Sequence, residues 1–479
     1  MFTWLVHKHQ RLILAIAVLA SFVAFLDGSV INVALPAIVR ELGGGLSVQQ
    51  WVVDAYLITL GSLILLAGSL SDVLGRILIL RIGLIGFGIT SILCAISPFP
   101  EFLIVSRGLQ GIAGALLVPS SLAIILSAFR GAEQSKAIGQ WTAWTSTAFL
   151  AGPLLGGLFV DYLSWRWVFA INVIPIAITL YLLAILKQKD TRVAGVHIDY
   201  LGAALCVLGL GGPVFALIEQ GNLGWQSPAV LLPMILGLVA FAAFIWRQRV
   251  ARQPLMPLGL FTVRNFWVGN VATTFIYGAL SLGGFVVVLF LQEVAGFPAT
   301  LAALALLPMT IINIVASSYF GTLSGKYGPR LFMAAGPILA GIGYLLMLTA
   351  DKDVNYWSQI FPGVLLFAVG LSATVAPLTA AILGSISETQ SGIGSAINNA
   401  VSRVAGLIAV ALTGLIVGET LDTDGFHRGL IATAGLLIVG GVVSAIGIQN
   451  PKHAPRATSE AGASAGASTA TPDSTGAQS

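Results

Sequence analysis

The sequence is poor in charge. Only 9% of its 479 residues are Asp, Glu, Lys or Arg, against about 25% in soluble domains. A chain this short of charge cannot cover a water-facing surface, which excludes the two or three soluble domains its length would otherwise allow. Cysteine is nearly absent. Cys94 and Cys206 both fall within apolar stretches and read as small core residues, not a disulfide. The five histidines, His7, His9, His197, His427 and His453, lie outside those stretches, and no Cys/His cluster has metal-site spacing. No G-x-x-x-x-G-K-[ST] run is present, so an ATP-driven mechanism through a P-loop is not expected. The links between apolar stretches are too short for a soluble catalytic domain. No nucleophile pairs with a base at one depth, so the chain does not read as an enzyme.

Long hydrophobic runs fill the space, and 57% of the residues are hydrophobic. Runs near the ~20 residues of a spanning helix recur along the chain. They cover 12–39, 48–68, 77–97, 101–128, 135–160, 167–187, 199–220, 228–248, 265–292, 299–322, 331–350, 356–384, 390–418 and 428–448. A transmembrane β-barrel would show ~10-residue alternating segments instead. The expected fold is an all-α integral membrane protein with fourteen transmembrane helices. With the N-terminus inside, seventeen of the 23 Lys and Arg residues fall on the inner side. That bias places both termini in the cytoplasm. It also accounts for the net charge of +4 without a nucleic-acid partner. The first helix has no A-x-A-like cleavage site and is expected to remain as an anchor. The tail from about 451, rich in Ala, Ser, Thr and Gly, is expected to be disordered.

The loop after the second run reads GSLSDVLGRILIL (68–80), and the loop after the tenth reads GTLSGKYGPRLFM (321–333). Gly68, Leu70, Ser71 and Gly75 match Gly321, Leu323, Ser324 and Gly328 without gaps, while the arginine slips from Arg76 to Arg330. Both copies follow the second helix of a six-helix set, which implies two related halves around a midplane site. The long links 188–198 and 249–264 flank the seventh and eighth helices. The expected organisation is a six-helix half over 1–190, two inserted helices with their links over 191–264, a second half over 265–450 and a disordered cytoplasmic tail over 451–479.

Four stretches carry a resemblance to a known family. LDGSVINVALP (26–36), GSLSDVLGRILIL, IVSRGLQGIAGALLVPSSLAII (104–125) and AGPLLGGLF (151–159) resemble motifs of the major facilitator superfamily, and more narrowly its fourteen-helix drug:proton antiporter branch. The run SWRWVFAINVIP (164–175) is similar to that branch as well. The resemblance spans about 1–450. Ala148 stands where the antiporter motif often has a leading glycine, and the second copy of the inner loop is weakened. The resemblance implies a multi-pass transporter of the plasma or inner membrane. It would be powered by the proton gradient with no bound cofactor.

Few polar groups lie inside the runs. Asp27 sits near the middle of the first, where a charge costs roughly 2.5–3.5 kcal/mol on insertion scales. Desolvation there disfavours its charged form, so it is placed to exchange a proton for a cationic substrate. Its structural alternative is a hydrogen bond to Asn32 or Ser29. Asp54, near the outer end of the second run, reads either as a second proton or binding site or as a wet residue at a cavity mouth. Arg107, inside the fourth run, needs a carboxylate or carbonyl partner. The resemblance links it with proton transfer. Asp72, Gly75 and Arg76 form a conformational latch at the inner loop, with Gly75 allowing the tight turn. The charged pair would bond internally or across the halves, or simply lie in solvent. Gly152, Pro153, Gly156 and Gly157 would let helices approach closely. The resemblance ties these four to antiport. Gln110, Asn398 and Arg403 are candidates for a cavity wall, as is Gln292. Glu219 and Glu293 read as interfacial acids. Trp51, Trp141, Trp144 and Phe149 could stack on a lipophilic cation or anchor at the interface.

The reading that follows is a secondary active exporter of small amphipathic, chiefly cationic compounds in exchange for protons. A proton-coupled nutrient importer on the same fold, or a non-transporting membrane receptor or scaffold, are the alternatives. The short outer loops present no docking domain for a periplasmic adaptor, so that partnership is left open.

Overall fold

The computed structural model describes residues 2–186, 190, 198–387, 390–418 and 420–450. The C-terminal tail and the first inter-half link therefore lie largely outside the described residues. Among the described residues, fourteen helices are long and apolar enough to cross a membrane: α1 His9–Leu42, α2 Gly45–Leu74, α3 Arg76–Ala95, α4 Pro100–Ala128, α5 Lys136–Tyr162, α6 Trp167–Ile185, α7 Tyr200–Leu223, α8 Pro228–Val250, α9 Arg264–Val294, α10 Ala299–Tyr327, α11 Pro329–Thr349, α12 Tyr356–Leu383, α13 Ser391–Val417 and α14 Thr423–Gly447. Their order and positions follow the predicted runs to within a few residues. Such helices are apolar on nearly every face, because lipid or another helix meets each side and every backbone group must bond within its own helix.

The ends are set by local chemistry. Pro100, Pro228 and Pro329 stand at the first positions of α4, α8 and α11, where a missing N–H costs nothing. The Asp199 carboxylate accepts from Gly202 N at 2.9 Å, and that of Asp422 accepts from Gly425 N at 2.6 Å, capping α7 and α14. At Gly75 the chain turns from α2 into α3 with φ +115°, a conformation open chiefly to glycine.

Helices α1–α6 pack among themselves, as do α9–α14, while α7 and α8 pack on each other and α7 rests on α2 and α13. We call the end bearing Arg76, Arg130, Arg247, Arg264 and Arg330 the basic face. The distribution of the core decides which end is closed. One apolar cluster, including Ile13, Leu84, Phe87, Leu117 and Ile176, stays within α1–α6. A larger one fills α9–α14 and continues into Val30, Leu35, Ile38, Val52 and Trp165, toward the end opposite the basic face. The halves thus share a continuous core on the opposite face and part toward the basic face.

Candidate functional site

Asp27 and Arg107 meet. Arg107 Nη1 donates to Asp27 Oδ2 at 2.6 Å, and both side chains are essentially inaccessible. The carboxylate's other oxygen accepts from Gln110 Nε2 and from Asn172 Nδ2, each at 2.9 Å. Arg107 also donates from Nε to Val52 O at 2.9 Å and from Nη1 to Gln110 Oε1 at 2.6 Å. Its guanidinium lies 4.3 Å from the Tyr56 ring centroid. Ser91 Oγ accepts from Gln110. This network ties α1, α2, α3, α4 and α6 together at mid-depth. A buried ion is tolerable only when paired and hydrogen-bonded in this way.

The geometry corrects three sequence expectations. Asp27 does not bond Ser29, which donates to Leu26 O and Ala148 O, nor Asn32, which faces the central cavity. Gln110 belongs to the ion-pair network and does not line that cavity. Asp27, fully buried and absent from the wall, does not touch a cavity-bound substrate in this state. The sequence alone does not mark Asn172 as a partner of Asp27. Its only signal was a place in the motif-like run 164–175.

Asp54 is fully buried, and neither carboxylate oxygen has a hydrogen-bond partner. One turn earlier, Gln50 Nε2 donates to Val410 O at 2.7 Å. Two turns later, Gly61 lies against the Cβ of Arg403. These contacts set the register and place Asp54 on the seam between α2 and α13, the contact between the two halves. Helix α7 covers the seam through Leu210, Val214 and Ile218, which cluster with Ile58, Leu407 and Ala411. The wet position considered for Asp54 is therefore not found.

Between the halves lies a cavity of about 640 Å³, within the range of ligand pockets. It reaches from Phe25 and Asn32 to Leu383 and Ser395, at the ends of α12 and α13 on the basic face. Asn398 and Arg403 line it as expected. Of the four aromatic candidates only Phe149 does, 5.6 Å from Phe25. Trp51 donates to Glu219 at 2.7 Å, Trp141 donates to Ser21 at 3.1 Å, and Trp144 is 63% exposed and not part of the wall. No carboxylate is found on the wall among the described residues. No cluster of His, Cys, Asp and Glu among them is arranged for a metal ion.

The opposite face is sealed by bonds between the halves. Gln49 Nε2 donates to Glu293 Oε1 at 2.6 Å, and Gln292 Nε2 donates to Val33 O at 3.1 Å, so Gln292 does not face the cavity. Asp161 accepts from Ala299 N at 3.0 Å and Thr300 N at 2.7 Å, capping α10 from α5. The glycines expected to allow close packing do so here. Gly152 and Gly156 lie against Ser29 and Val30 of α1, and a Cβ on Gly157 would fall 2.6 Å from Thr300 Cα. Pro153 lines the cavity. At the basic face, Arg76 bonds Asp72 at 3.0 Å and Ala123 O at 3.1 Å, all within one half. Asp190 accepts from Ile77 N and Leu78 N. Among the described residues, Asp72 and Arg76 thus bond to each other, and Arg76 to α4, with no bond across the halves.

Against known proteins, the Major Facilitator Superfamily model matches residues 17–410, with a second match over 304–472. The chain is 32% identical over 410 residues to the methylenomycin A resistance protein of Bacillus subtilis, covering 85% of this chain and 87% of that one. It is 31% identical over 413 residues to the multidrug export protein EmrB of Escherichia coli, covering 84% and 80%. Among solved structures it is similar in fold to a POT family transporter in complex with 5-aminolevulinic acid, with a TM-score of 0.68 at 14% identity, covering 91% of this chain and 95% of that one.

Proposed function

The chain belongs to the major facilitator superfamily, a family of transporters and not enzymes, and from that premise we propose that it exports amphipathic compounds across the cell membrane in exchange for protons. The observation that carries the coupling is Asp54, a buried carboxyl without a donor on the seam between the halves. An ionised carboxylate in a dry seam costs several kcal/mol, so the sealed seam requires the neutral acid. Loss of the proton toward the open cavity destabilises the seam and favours opening on the opposite face. There the acid meets water, takes a proton, and the seam closes again. Substrate enters from the basic face, which the Lys and Arg bias assigns to the cytoplasm.

The Asp27–Arg107 pair is the second element of coupling. It clamps α1 to α4 through the 2.6 Å contact, which must break before either charge can engage another partner. The Asp72–Gly75–Arg76 turn acts as the latch of the basic face. It bonds within its own half while that face is open, and engages the other half when it shuts. Export, not import, is supported by relatives whose names describe multidrug export and antibiotic resistance. Each proton charge entering along the field supplies about 2.3 kcal/mol per 100 mV. The preference for cations expected from Asp27 is not carried forward, because Asp27 is neutralised by Arg107 and no carboxylate lines the described wall.

The test is reconstitution in liposomes with an imposed pH gradient, following internal pH while a panel of cationic, neutral and anionic amphipaths, methylenomycin A among them, is added. Substrate-triggered proton movement in the wild type, lost in Asp54→Asn, is the expected result. Normal proton exchange in Asp54→Asn would remove Asp54 from the mechanism, and no proton movement with any compound would end the antiport reading.

A further inference from the structure

Among the described residues, the wall of the central cavity carries one uncompensated charge, and it is positive. Arg403, on α13, lines the wall. Among the described residues its guanidinium makes no hydrogen bond or ion pair, and it lies 5.9 Å from the Phe25 ring, measured from Cζ to centroid. The other mid-depth charges are accounted for. Arg107 is cancelled by Asp27 at 2.6 Å, and Asp54 lies beyond ion-pairing distance of Arg403. Asn398, also on the wall, is a neutral amide that cannot cancel the charge, and its Nδ2 donates to Asn270 Oδ1 and Thr273 Oγ1. An unpaired intramembrane cation is expensive and is kept where it faces a water-filled cavity and meets a ligand. The planar guanidinium fork fits a carboxylate or sulfonate by two parallel bonds. Phe25, Phe149 and Met309 present apolar surface to the same cavity.

We propose that the cavity recognises amphipathic organic anions, with Arg403 receiving the acidic head and the Phe25–Phe149 pair receiving the apolar body. The proposal rests on the export reading for its direction and adds the class of cargo. It also changes the electrical character of transport. Expelling an anion while protons enter moves one more positive charge inward than the protons alone, so an inside-negative potential drives this exchange even without a pH gradient. Exchange of one monovalent cation for one proton would be electrically silent.

The experiment uses the full-length protein in liposomes and three probes with the same ring body: pyrene sulfonate, pyrene sulfonamide and a pyrenyl trimethylammonium. The wild type is expected to carry the sulfonate with at least tenfold higher kcat/KM than the ammonium, and to accelerate it when a valinomycin-set potassium potential makes the interior negative. Arg403→Gln should lower the sulfonate-to-sulfonamide ratio of kcat/KM at least tenfold, and Arg403→Lys, which keeps the charge, should restore part of it. Equal transport of the ammonium, or an unchanged ratio in Arg403→Gln, overturns the proposal while leaving proton-coupled export intact. If no probe is coupled to protons, the export reading fails, and equilibrium binding in detergent decides the cavity's preference. Sulfonate binding weakened tenfold by Arg403→Gln and recovered by Arg403→Lys upholds it, and equal affinity in all three proteins overturns it.

Discussion

Cutting the Asp27–Arg107 pair from either side should cost far more than removing it whole. The two groups are 1% and 0% exposed and 2.6 Å apart. Arg107→Met deletes the bonds to Asp27, Gln110 and Val52 and leaves a buried carboxylate with only two neutral amide donors, Gln110 and Asn172. Asp27→Asn leaves a buried guanidinium whose charge nothing cancels. Breaking a buried pair in this way typically costs about 3–5 kcal/mol, whereas replacing both partners by neutral groups of similar volume is often near neutral. The double variant should therefore lie within about 2 kcal/mol of wild type, giving a coupling energy of roughly 3 kcal/mol or more. The assay is reversible unfolding in mixed micelles, comparing midpoints of the four proteins at one pH. Single-variant losses that add within about 0.5 kcal/mol would refute the argument, because they would show that neither charge depends on the other. The same four proteins separate stability from coupling. The double variant should be folded yet unable to exchange substrate for protons, and wild-type exchange by it would reduce the pair to a clamp.

Two further outcomes follow from the packing. Gly157→Ala places a methyl 2.6 Å from Thr300 Cα and 3.0 Å from Ala299 O, both backbone atoms that cannot swing aside. Overpacking of this kind costs about 1–3 kcal/mol, which shifts the closed population of the α5–α10 seam by roughly five- to 150-fold. Spin-label distances across that seam should lengthen, and an unchanged distribution would show that the seam does not hold the face shut. Gly75→Ala puts a side chain at φ +115° and against the Asp190 carboxylate. A loss of about 1–3 kcal/mol in thermal unfolding is expected, and a fully stable variant would contradict the turn's role in ending α2.

The fourteen helices and their order were legible because apolarity over ~20 residues is a local property that membrane insertion reads directly. The same held for the expensive groups. Asp27, Asp54, Arg107 and Arg403 stand out in any apolar run, since each must be partnered or exposed to a cavity. Their partners were not legible. Asn172 lies 145 residues from the Asp27 that it bonds, and nothing in its neighbourhood marks it apart from its motif-like run. Gln110, expected as a candidate cavity residue, lies three positions from Arg107 on the same helix face and joins it in the ion-pair network, which only the packing of α1 and α3 against that face reveals. Asp161, at the end of α5, carries no mark in the sequence, and only the fold places it over the first amides of α10.

The cargo shows the difference most clearly. Asp27 seen alone suggested a site for cations. Seen beside Arg107 it contributes no net charge, and the unpaired cation on the wall becomes Arg403. Which residues are costly, and how many helices carry them, was determined by the sequence alone, through the one-dimensional economy of placing polar groups in lipid. Which charges cancel, which face a cavity and which lie in the seam between halves were decided only by tertiary structure. They depend on the rotation and register of helices distant in sequence, and electrostatic interaction depends on distance in space.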